Sequence, residues 1–431
     1  MKIDKIIIGG YTNIQRVELS LNELTALTAP NNYGKSNVLS AIRFATDFIS
    51  ASPGEKSVMM NYRPAISINT ATATMPFTFA MEGRLEYEGK EAEFDYGFSF
   101  EWAKSDSNGK GAVITEEYLK LKHADDKRYR SIILRIQPDE AKYLATPKGR
   151  CASQITLLGN QLAINKMVSY DDLFYVDVLK QLNNLQVKNV NTLIDPDSFF
   201  ALSPQGDSVN GYSVNFPEKS NAGFFIYSLK QLHHDKYELL KDVIMNLLDD
   251  VEDFEPIKVN IRKENEVTED VPYHSSDVLY DIRVKERFNN QHTSISRISS
   301  GSKRIIFVLA LTLAGAINHI PLITFEELEN SVHIRLLENL LEAIVQLAGD
   351  TKVLITSHSP YLVKYLSAEN IYLGMPNSQG LADFRQLRAN KIKKAIRMAS
   401  AEELTLGEYL FELMLDADGN SELLNEYFEQ A

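Results

Sequence analysis

The stretch Ala29-Pro30-Asn31-Asn32-Tyr33-Gly34-Lys35-Ser36-Asn37 decides the fold class of this 431-residue chain. It follows a short apolar run at residues 24–27 and precedes a helical pattern at residues 38–48. A strand, a Gly-Lys-Ser turn and a helix in this order predict a phosphate-binding loop, because backbone N–H groups and the helix N-terminus converge on an anion. We expect residues 31–37 to bind a nucleotide, with Lys35 on the β- and γ-phosphates and Ser36 on Mg²⁺.

One position of this loop departs from the usual pattern. The motif G-x-x-x-x-G-K-[ST] begins with glycine, and that position is Ala29 here. An imperfect match of this length also fits an ordinary turn that caps a helix. The second half of the chain decides between the two interpretations.

The composition is that of a globular protein. Hydrophobic residues make up 44% of the chain and charged residues 24%, which argues against disorder. The single cysteine, Cys151, excludes an internal disulfide and predicts a cytoplasmic location. No secretory signal is present, and no apolar run reaches the ~20 residues of a membrane span, so we expect no membrane association. The net charge of −13 disfavours a protein coated in nucleic acid, although a local basic groove remains compatible with it.

The coarse pattern along the chain mixes strands and helices. Alternating, aromatic-rich segments between residues 74 and 136 predict an antiparallel sheet. Residues 140–225 read as mixed helix and loop, with a loop at 203–207, and residues 226–248 have helical periodicity. From about residue 284 to 366, helix and strand alternate as in βαβ units.

Two motifs of the second half add charge-binding groups. Ser299-Ser300-Gly301-Ser302 stands at the start of an apolar helix that runs to Ala316, which predicts another anion-binding turn. A short buried-type strand then ends in the adjacent carboxylates of Glu326 and Glu327. One of these can hold Mg²⁺ and the other can polarise an attacking water. The alternative is an exposed acidic helix start, which the strongly apolar strand argues against.

A second buried-type strand, residues 352–357, ends at His358. Ligands of open α/β sheets bind beyond the carboxyl ends of parallel strands, so both strand ends should face the phosphate loop. A helix-capping or core histidine is the alternative interpretation of His358. We expect His333, by contrast, to stabilise a turn.

In this order the motifs resemble those of ABC-type ATPase heads of the SMC, RecF and OLD group. The resemblance covers residues 1–50 and about 290–370. The stretch from Glu326 to His333 is especially similar to the matching stretch of OLD-like and prokaryotic defence ATPases. The motifs correspond to Walker A at Lys35, the ABC signature at 299–302, the Walker B pair at Glu326-Glu327, the D-loop at Glu329-Asn330 and the switch histidine at His358.

The resemblance implies an α/β fold: a P-loop NTPase with an ABC-type head, a mixed central sheet, an antiparallel β-subdomain and a helical lobe. Four segments are expected along the chain. They are 1–140, a first ATPase lobe with Walker A and the β-subdomain; 141–270, a helical insert; 271–375, a second lobe with signature, Walker B and switch histidine; and 376–431, a C-terminal helical tail.

The resemblance also implies that two copies of the chain build each ATP site. Walker A of one copy binds ATP and Mg²⁺, while Ser299, Ser300 and Gly301 of the other copy contact the same γ-phosphate. In this arrangement Ser36 and Glu326 ligate Mg²⁺, Glu327 is the general base and His358 senses the γ-phosphate. The residue matching Glu326 is usually Asp; the extra methylene moves the carboxylate by roughly one bond length, so we expect slow hydrolysis.

The predicted function is that of an ATP-hydrolysing sensor or scaffold in anti-phage defence, similar to the ATPase subunits of PARIS- and Septu-type systems. The residues after His358 are too few for the nuclease domain that OLD proteins carry, so we expect a separate nuclease or toxin partner. The shared site implies a homodimer or a higher homo-oligomer. Two alternatives remain: a RecF-like DNA-repair ATPase, for which the basic stretch 385–397 would contact DNA, and a nucleotide-binding structural subunit without turnover.

Overall fold

A computed structural model describes the chain in two compact units. The first contains residues 1–189, 321–324 and 352–431, and the second contains residues 190–320 and 325–351. The described residues are all except 68, 104–111, 124, 192–197, 199, 201–213, 218–220, 261–277, 331, 376–378, 417–419 and 429–431. The predicted loop at 203–207 therefore lies outside the described residues.

The first unit begins with most of the strands of the molecule. In chain order its elements up to residue 191 are β1 (Lys2–Tyr11), β2 (Ile14–Ser20), β3 (Leu24–Thr28), α1 (Lys35–Ser50), α2 (Pro53–Met59), β4 (Phe77–Tyr87), β5 (Lys90–Phe100), β6 (Ile114–His123), β7 (Arg130–Gln137), β8 (Glu140–Leu144), β9 (Cys151–Thr156), α3 (Ala163–Met167), α4 (Val176–Asn183) and β10 (Val187–Asn191).

The second unit is mainly helical. Its elements are α5 (Ala222–Leu232), α6 (His234–Leu247), β11 (Val251–Asn260), β12 (Val278–Glu286), β13 (Thr293–Ser294), α7 (Ser300–Ile317) and α8 (Ile334–Ala348), with a 3₁₀ turn at Ile295–Arg297. Strand β14 (Leu322–Glu326) has residues 322–324 in the first unit and residues 325–326 in the second. The chain returns to the first unit with β15 (Lys352–Ser357), α9 (Leu362–Tyr365), β16 (Ile371–Gly374), β17 (Phe384–Arg385), α10 (Ile392–Ala401), α11 (Leu406–Leu415) and α12 (Ser421–Tyr427).

An eight-stranded antiparallel sheet, in the order β2-β1-β4-β5-β6-β7-β8-β9, forms one layer of the first unit. Aromatic residues alternate along β4 and β5, so one face of the sheet is a continuous apolar surface. Helix α1 covers this face, and the ring of Phe48 stacks on Phe98 and Phe100 at centroid distances of 5.1 and 4.9 Å. Burial of these large rings is the main stabilising term here.

A six-stranded sheet in the order β10-β14-β15-β3-β16-β17 carries the phosphate loop. Strand β3 is parallel to both of its neighbours, β15 and β16, whereas β17 is antiparallel to β16. All five residues of β3 are buried, as expected for a strand that has neighbours on both sides and is covered on both faces. The predicted α/β fold with a mixed central sheet, an antiparallel β-subdomain and a helical lobe is thereby confirmed.

The boundaries of the two units differ from those of the four segments expected from the sequence. The expected boundary at residue 140 separates β8 and β9 from the antiparallel sheet to which they belong. Residues 352–375, expected in a second lobe, supply strands β15 and β16 on either side of β3. The tail at 376–431 is also part of the first unit, because its helices share an apolar cluster with β16 and α9.

Helix α7 is the one helix, among the described residues, with the length and apolar character to cross a membrane. Its mean hydropathy is 1.4, and 72% of its residues are buried inside the protein. A helix that is apolar all round and buried on most sides is typical of the core of a globular unit.

Candidate active site

The loop between β3 and α1 has the backbone that the Gly-Lys-Ser turn predicts. Gly34 precedes the first residue of α1 and has φ 89° and ψ 12°, the left-handed conformation that favours glycine. A Cβ atom at this position would lie 2.8 Å from Ala382 Cβ. Backbone conformation and close packing therefore both require glycine at this position.

Lys35 is folded back onto its own loop. Its ammonium group donates hydrogen bonds to the carbonyl oxygens of Ala29, at 2.7 Å, and of Pro30, at 3.0 Å. Lys35 is only 7% exposed, so its charged group is enclosed by the loop. A phosphate oxygen that binds in the loop would meet a positioned cation and the N-terminus of α1.

Ala29, which stands at the position of the first motif glycine, packs against Gly374. Ala29 is fully buried, and its Cβ lies 2.6 Å from the point where a Cβ of Gly374 would be. Gly374 ends β16, the strand beside β3. The methyl group of Ala29 thus occupies space that the absence of a side chain at residue 374 leaves open. This pair of small residues explains how the loop accommodates Ala29.

The turn between β1 and β2 also contacts the start of α1, through Asn13. Asn13 Oδ1 accepts a hydrogen bond from the Asn37 side chain at 2.8 Å, and Asn13 Nδ2 donates to Gly380 O at 3.0 Å. The Asn13 carbonyl accepts the N–H of Ala382 at 3.0 Å. The amide of Asn37 therefore anchors the start of α1. Asn31, Asn32 and Ser36 are exposed along the loop, and Tyr33 is half-buried.

His358 follows the strand next to β3. Thr28 pairs with Ser357 in the parallel register of β3 and β15, and the N–H of Ala29 donates to Ser357 O at 3.2 Å. The phosphate loop and the His358 loop therefore leave adjacent strands at the same edge of the sheet. His358 is exposed at this edge, which fits the predicted arrangement.

In the second unit, the signature motif forms the start of a long helix. Ser299 is the N-cap of α7; its hydroxyl accepts the N–H of Ser302 at 3.1 Å. Ser299 and Ser300 are exposed, and Gly301 is half-exposed. An exposed helix N-terminus with hydroxyl groups has the chemistry of an anion-binding surface.

The two Walker B-like glutamates end β14 in the same unit. Glu326 is the last residue of the strand, and Glu327 has φ 51°, a left-handed conformation that costs a non-glycine residue about 1–3 kcal/mol. The Glu327 carbonyl accepts the N–H of Asn330 at 3.0 Å, which closes a tight turn. His333 then caps α8, its Nδ1 accepting the Arg335 N–H at 3.2 Å, and the prediction that His333 stabilises a turn is confirmed.

Arg304 links the signature helix to this turn. It is 6% exposed, and its Nη1 donates to Asn330 O at 2.8 Å. Lys303, 4% exposed, donates to Ser296 O at 2.7 Å, so both cations are used to hold the start of α7. These roles could not be predicted from the sequence, because a basic pair at a helix start has no distinguishing pattern.

The donor set fits ATP with Mg²⁺. The first unit supplies a glycine-shaped loop, the buried Lys35 ammonium and the hydroxyl of Ser36 at the first turn of α1. Mg²⁺ binds through one or two protein oxygens together with substrate phosphates rather than in an all-protein cage. The described part of the chain contains no group of three or more His, Cys, Asp or Glu residues able to hold a metal ion by itself.

A protein-family model for the AAA ATPase domain matches residues 1–363. The chain belongs to the AAA ATPase domain family. The match spans the phosphate loop, the signature turn, the glutamate pair and His358, so every predicted site residue of this ATPase domain lies within it. A comparison with functionally curated proteins finds no match.

Similar solved structures are heads of SMC proteins. One is an SMC head bound to the C-winged helix domain of ScpA, with 12% identity, a TM-score of 0.49 and coverage of 91% of this chain and 99% of that chain. The SMC head domain from Thermotoga maritima has 12% identity and a TM-score of 0.40, over 90% of this chain and 100% of that chain. A third, an SMC head with an extended coiled coil bound to the C-terminal domain of ScpA derived from Pyrococcus furiosus, has 12% identity and a TM-score of 0.43, over 93% of this chain and 99% of that chain.

Proposed function

We propose that this AAA-family ATPase domain binds and slowly hydrolyses ATP, and that a second copy of the chain completes each ATP site. The observation that carries the proposal is the loop itself: Gly34 has the left-handed conformation, and the buried Lys35 ammonium donates to the carbonyls of Ala29 and Pro30. A helix-capping turn, the alternative interpretation, needs no buried lysine. Both features are what phosphate binding at a helix N-terminus requires.

The chain's own groups have distinct tasks in this reaction. Lys35 exchanges its bonds to Ala29 O and Pro30 O for phosphate oxygens, and Glu327 accepts a proton from the attacking water. His358 donates a hydrogen bond to the γ-phosphate. Mg²⁺, held by Ser36 and Glu326, would neutralise charge on the β- and γ-phosphates. Glu326 in place of Asp makes hydrolysis slow, because catalytic geometry tolerates little displacement.

The second copy contributes the signature helix. Ser299 and Ser300 are exposed and Gly301 is half-exposed at the N-terminus of α7, where they are available to another molecule. Closure of two copies over ATP, followed by hydrolysis and release, would make the chain a nucleotide-dependent switch.

Phosphate release tests the enzyme claim. Wild type, Lys35→Ala and Glu327→Gln are compared at equal concentration with ATP and Mg²⁺. We expect measurable release from wild type, loss of both ATP binding and release in Lys35→Ala, and retained binding with little release in Glu327→Gln. Equal, background-level release from all three would remove the enzyme claim and favour a structural nucleotide-binding subunit.

We further propose that the switch serves anti-phage defence by holding or releasing a separate nuclease or toxin. The resemblance of residues 326–333 to defence ATPases supports this role. Purification of the native complex with and without ATP is the test. A second protein that co-purifies in one nucleotide state is expected, and absence of any partner in every state would contradict the proposal.

The RecF-like alternative depends on the basic stretch at 385–397. Much of its charge is already paired: Arg385 bonds Asp383 at 2.6 Å, and Lys391 and Lys394 bond Glu426 at 2.7 and 2.8 Å. Exposed Lys393 and Arg397 remain the best candidates for phosphate contacts. DNA binding that depends on ATP and falls steeply with salt would support the alternative.

A further inference from the structure

The loop that carries His358 is supported by a helix from the far C-terminal part of the chain. Ser357 Oγ accepts the N–H of Ser359 at 2.9 Å, and Ser359 Oγ accepts the N–H of Tyr361 at 3.3 Å. These side-chain bonds fix the path from β15 to α9. The Pro360 carbonyl, on this path, accepts the N–H of Val363 at 3.2 Å.

Gly407, in the first turn of α11, packs directly on Pro360. A Cβ atom at residue 407 would lie 2.0 Å from Pro360 O, 2.9 Å from Pro360 C and 3.3 Å from Val363 Cβ. Real Cβ atoms do not approach a carbonyl oxygen this closely, so the backbone of α11 touches the His358 loop only because residue 407 is glycine. Its helical conformation does not itself demand glycine, since its φ is not positive.

The first turn of α11 is itself rigid. Thr405 and Glu408 form a capping box, in which Thr405 N donates to Glu408 Oε2 at 2.9 Å and Glu408 N donates to Thr405 Oγ1 at 3.3 Å. Hydrogen bonds from Thr405 hold the pKa of the Glu408 carboxyl below its usual value. Glu408 therefore fixes the start of the helix.

Helix α11 is in turn anchored in the C-terminal helices. Tyr409, Leu410 and Met414 are buried in one apolar cluster with residues of α10 and α12 and with Val363 of α9. Packed interiors transmit strain, so a displacement of these helices is expected to reach Pro360.

We propose that Gly407 is a positioning residue for His358, and that the C-terminal helices set the rate of ATP hydrolysis through the contact between Gly407 and Pro360. The proposal rests on the ATPase function proposed above. It gives the C-terminal 376–431 segment a role in turnover that the motifs alone do not assign.

Gly407→Ala is the direct test, and the chain offers a matched control. Gly54 occupies the same helix position, one residue before the glutamate of a Ser52–Glu55 capping box, but a Cβ there meets nothing within 4 Å. To clear Pro360 O, the new methyl group must displace the loop by about 1 Å, a misplacement that costs up to ~100-fold in rate. We expect kcat to fall about 10- to 100-fold in Gly407→Ala, with the Kd for ATP within about threefold of wild type. Gly54→Ala should match wild type.

A further comparison separates positioning from loss of structure. In a His358→Ala background, Gly407→Ala should lower kcat no further; a loss of the same factor in both backgrounds would overturn the proposal. Unchanged kcat in Gly407→Ala would equally refute it.

The His358 resonance distinguishes failure of this inference from failure of the ATPase function. In protein labelled with ¹³C-histidine, the His358 signal is assigned with a His358→Asn variant. Gly407→Ala should shift this signal and Gly54→Ala should leave it in place. A wild type that hydrolyses no ATP, together with a shifted signal, would refute the proposed function alone. An unmoved signal would refute the positioning role.

Discussion

The contact between Ala29 and Gly374 predicts that a damaging substitution at residue 374 is compensated by a second substitution at residue 29. In Gly374→Ala, the new Cβ would lie 2.6 Å from Ala29 Cβ and 3.3 Å from ring atoms of Tyr33 and Phe384. Carbon atoms pack at about 3.5–4.0 Å, so the two methyl groups must separate by about 1 Å. Ala29 stands at the base of the phosphate loop, and its carbonyl accepts the Lys35 ammonium. The displacement therefore reaches the lysine directly.

Overpacking of this kind costs about 1–3 kcal/mol. Since about 1.4 kcal/mol is a factor of ten in an equilibrium constant, we expect the Kd for ATP to rise about 5- to 140-fold if the strain is relieved by movement of the loop. Titration calorimetry with a slowly hydrolysed ATP analogue measures the change, and thermal unfolding shows whether the fold is retained.

A second substitution, at Ala29, tests whether this contact causes the loss of affinity. Ala29→Gly in the Gly374→Ala protein removes one of the two methyl groups, so that the contact again contains one, as in wild type. It also recreates the usual first glycine of the motif. We expect its Kd to return to within about threefold of wild type, as coupling between residues in direct contact requires. Normal affinity in Gly374→Ala, or a double variant as weak as the single one, would refute the account of this contact.

Three further predictions concern other parts of the first unit. Gly34→Ala combines a left-handed backbone with a Cβ 2.8 Å from Ala382 Cβ, so it should weaken ATP binding more than 30-fold, by roughly 2 kcal/mol or more, in the same titration; unchanged affinity would contradict the loop geometry. Arg135 is 5% exposed, and Glu117→Ala removes the carboxylate that lies 3.5 Å from its guanidinium. This substitution should lower the free energy of unfolding, measured in urea, by about 3–5 kcal/mol. Substitution of the exposed neighbour, Glu116→Ala, should lower it by less than about 0.5 kcal/mol. Burial lowers the pKa of Lys56 from 10.5 to about 8, so the unfolded chain binds this proton more tightly and stability rises with pH across that window. The unfolding free energy of wild type relative to Lys56→Met should therefore increase by about 2–3 kcal/mol from pH 7 to pH 10, and a difference independent of pH would rule out the shift.

Local features of the site could be predicted from the sequence. Gly34, Lys35 and the start of α1 follow from a short pattern, because the left-handed turn and the helix N-terminus are built from neighbouring residues. Strands β3, β14 and β15 were equally predictable, since buried central strands are continuous apolar runs.

Contacts between distant residues could not be predicted in this way. Nothing near Ala29 indicates that Gly374 lies against it, and nothing near His358 indicates Gly407. Strands β8 and β9 were missed for a different reason. Only three of their eleven residues are buried, so β8 and β9 lack the clear apolar alternation that reveals a strand.

The central claim is that ATP joins two copies of the chain through the signature helix. The most direct measurement is the molecular mass in solution of Glu327→Gln, with and without ATP and Mg²⁺, compared with a Glu327→Gln, Ser299→Arg protein. If ATP joins two copies, it doubles the mass of the first protein, whereas the second binds ATP with the same affinity but shows no increase in mass. A mass of Glu327→Gln that ATP leaves unchanged, or an increase that survives Ser299→Arg, would contradict the claim.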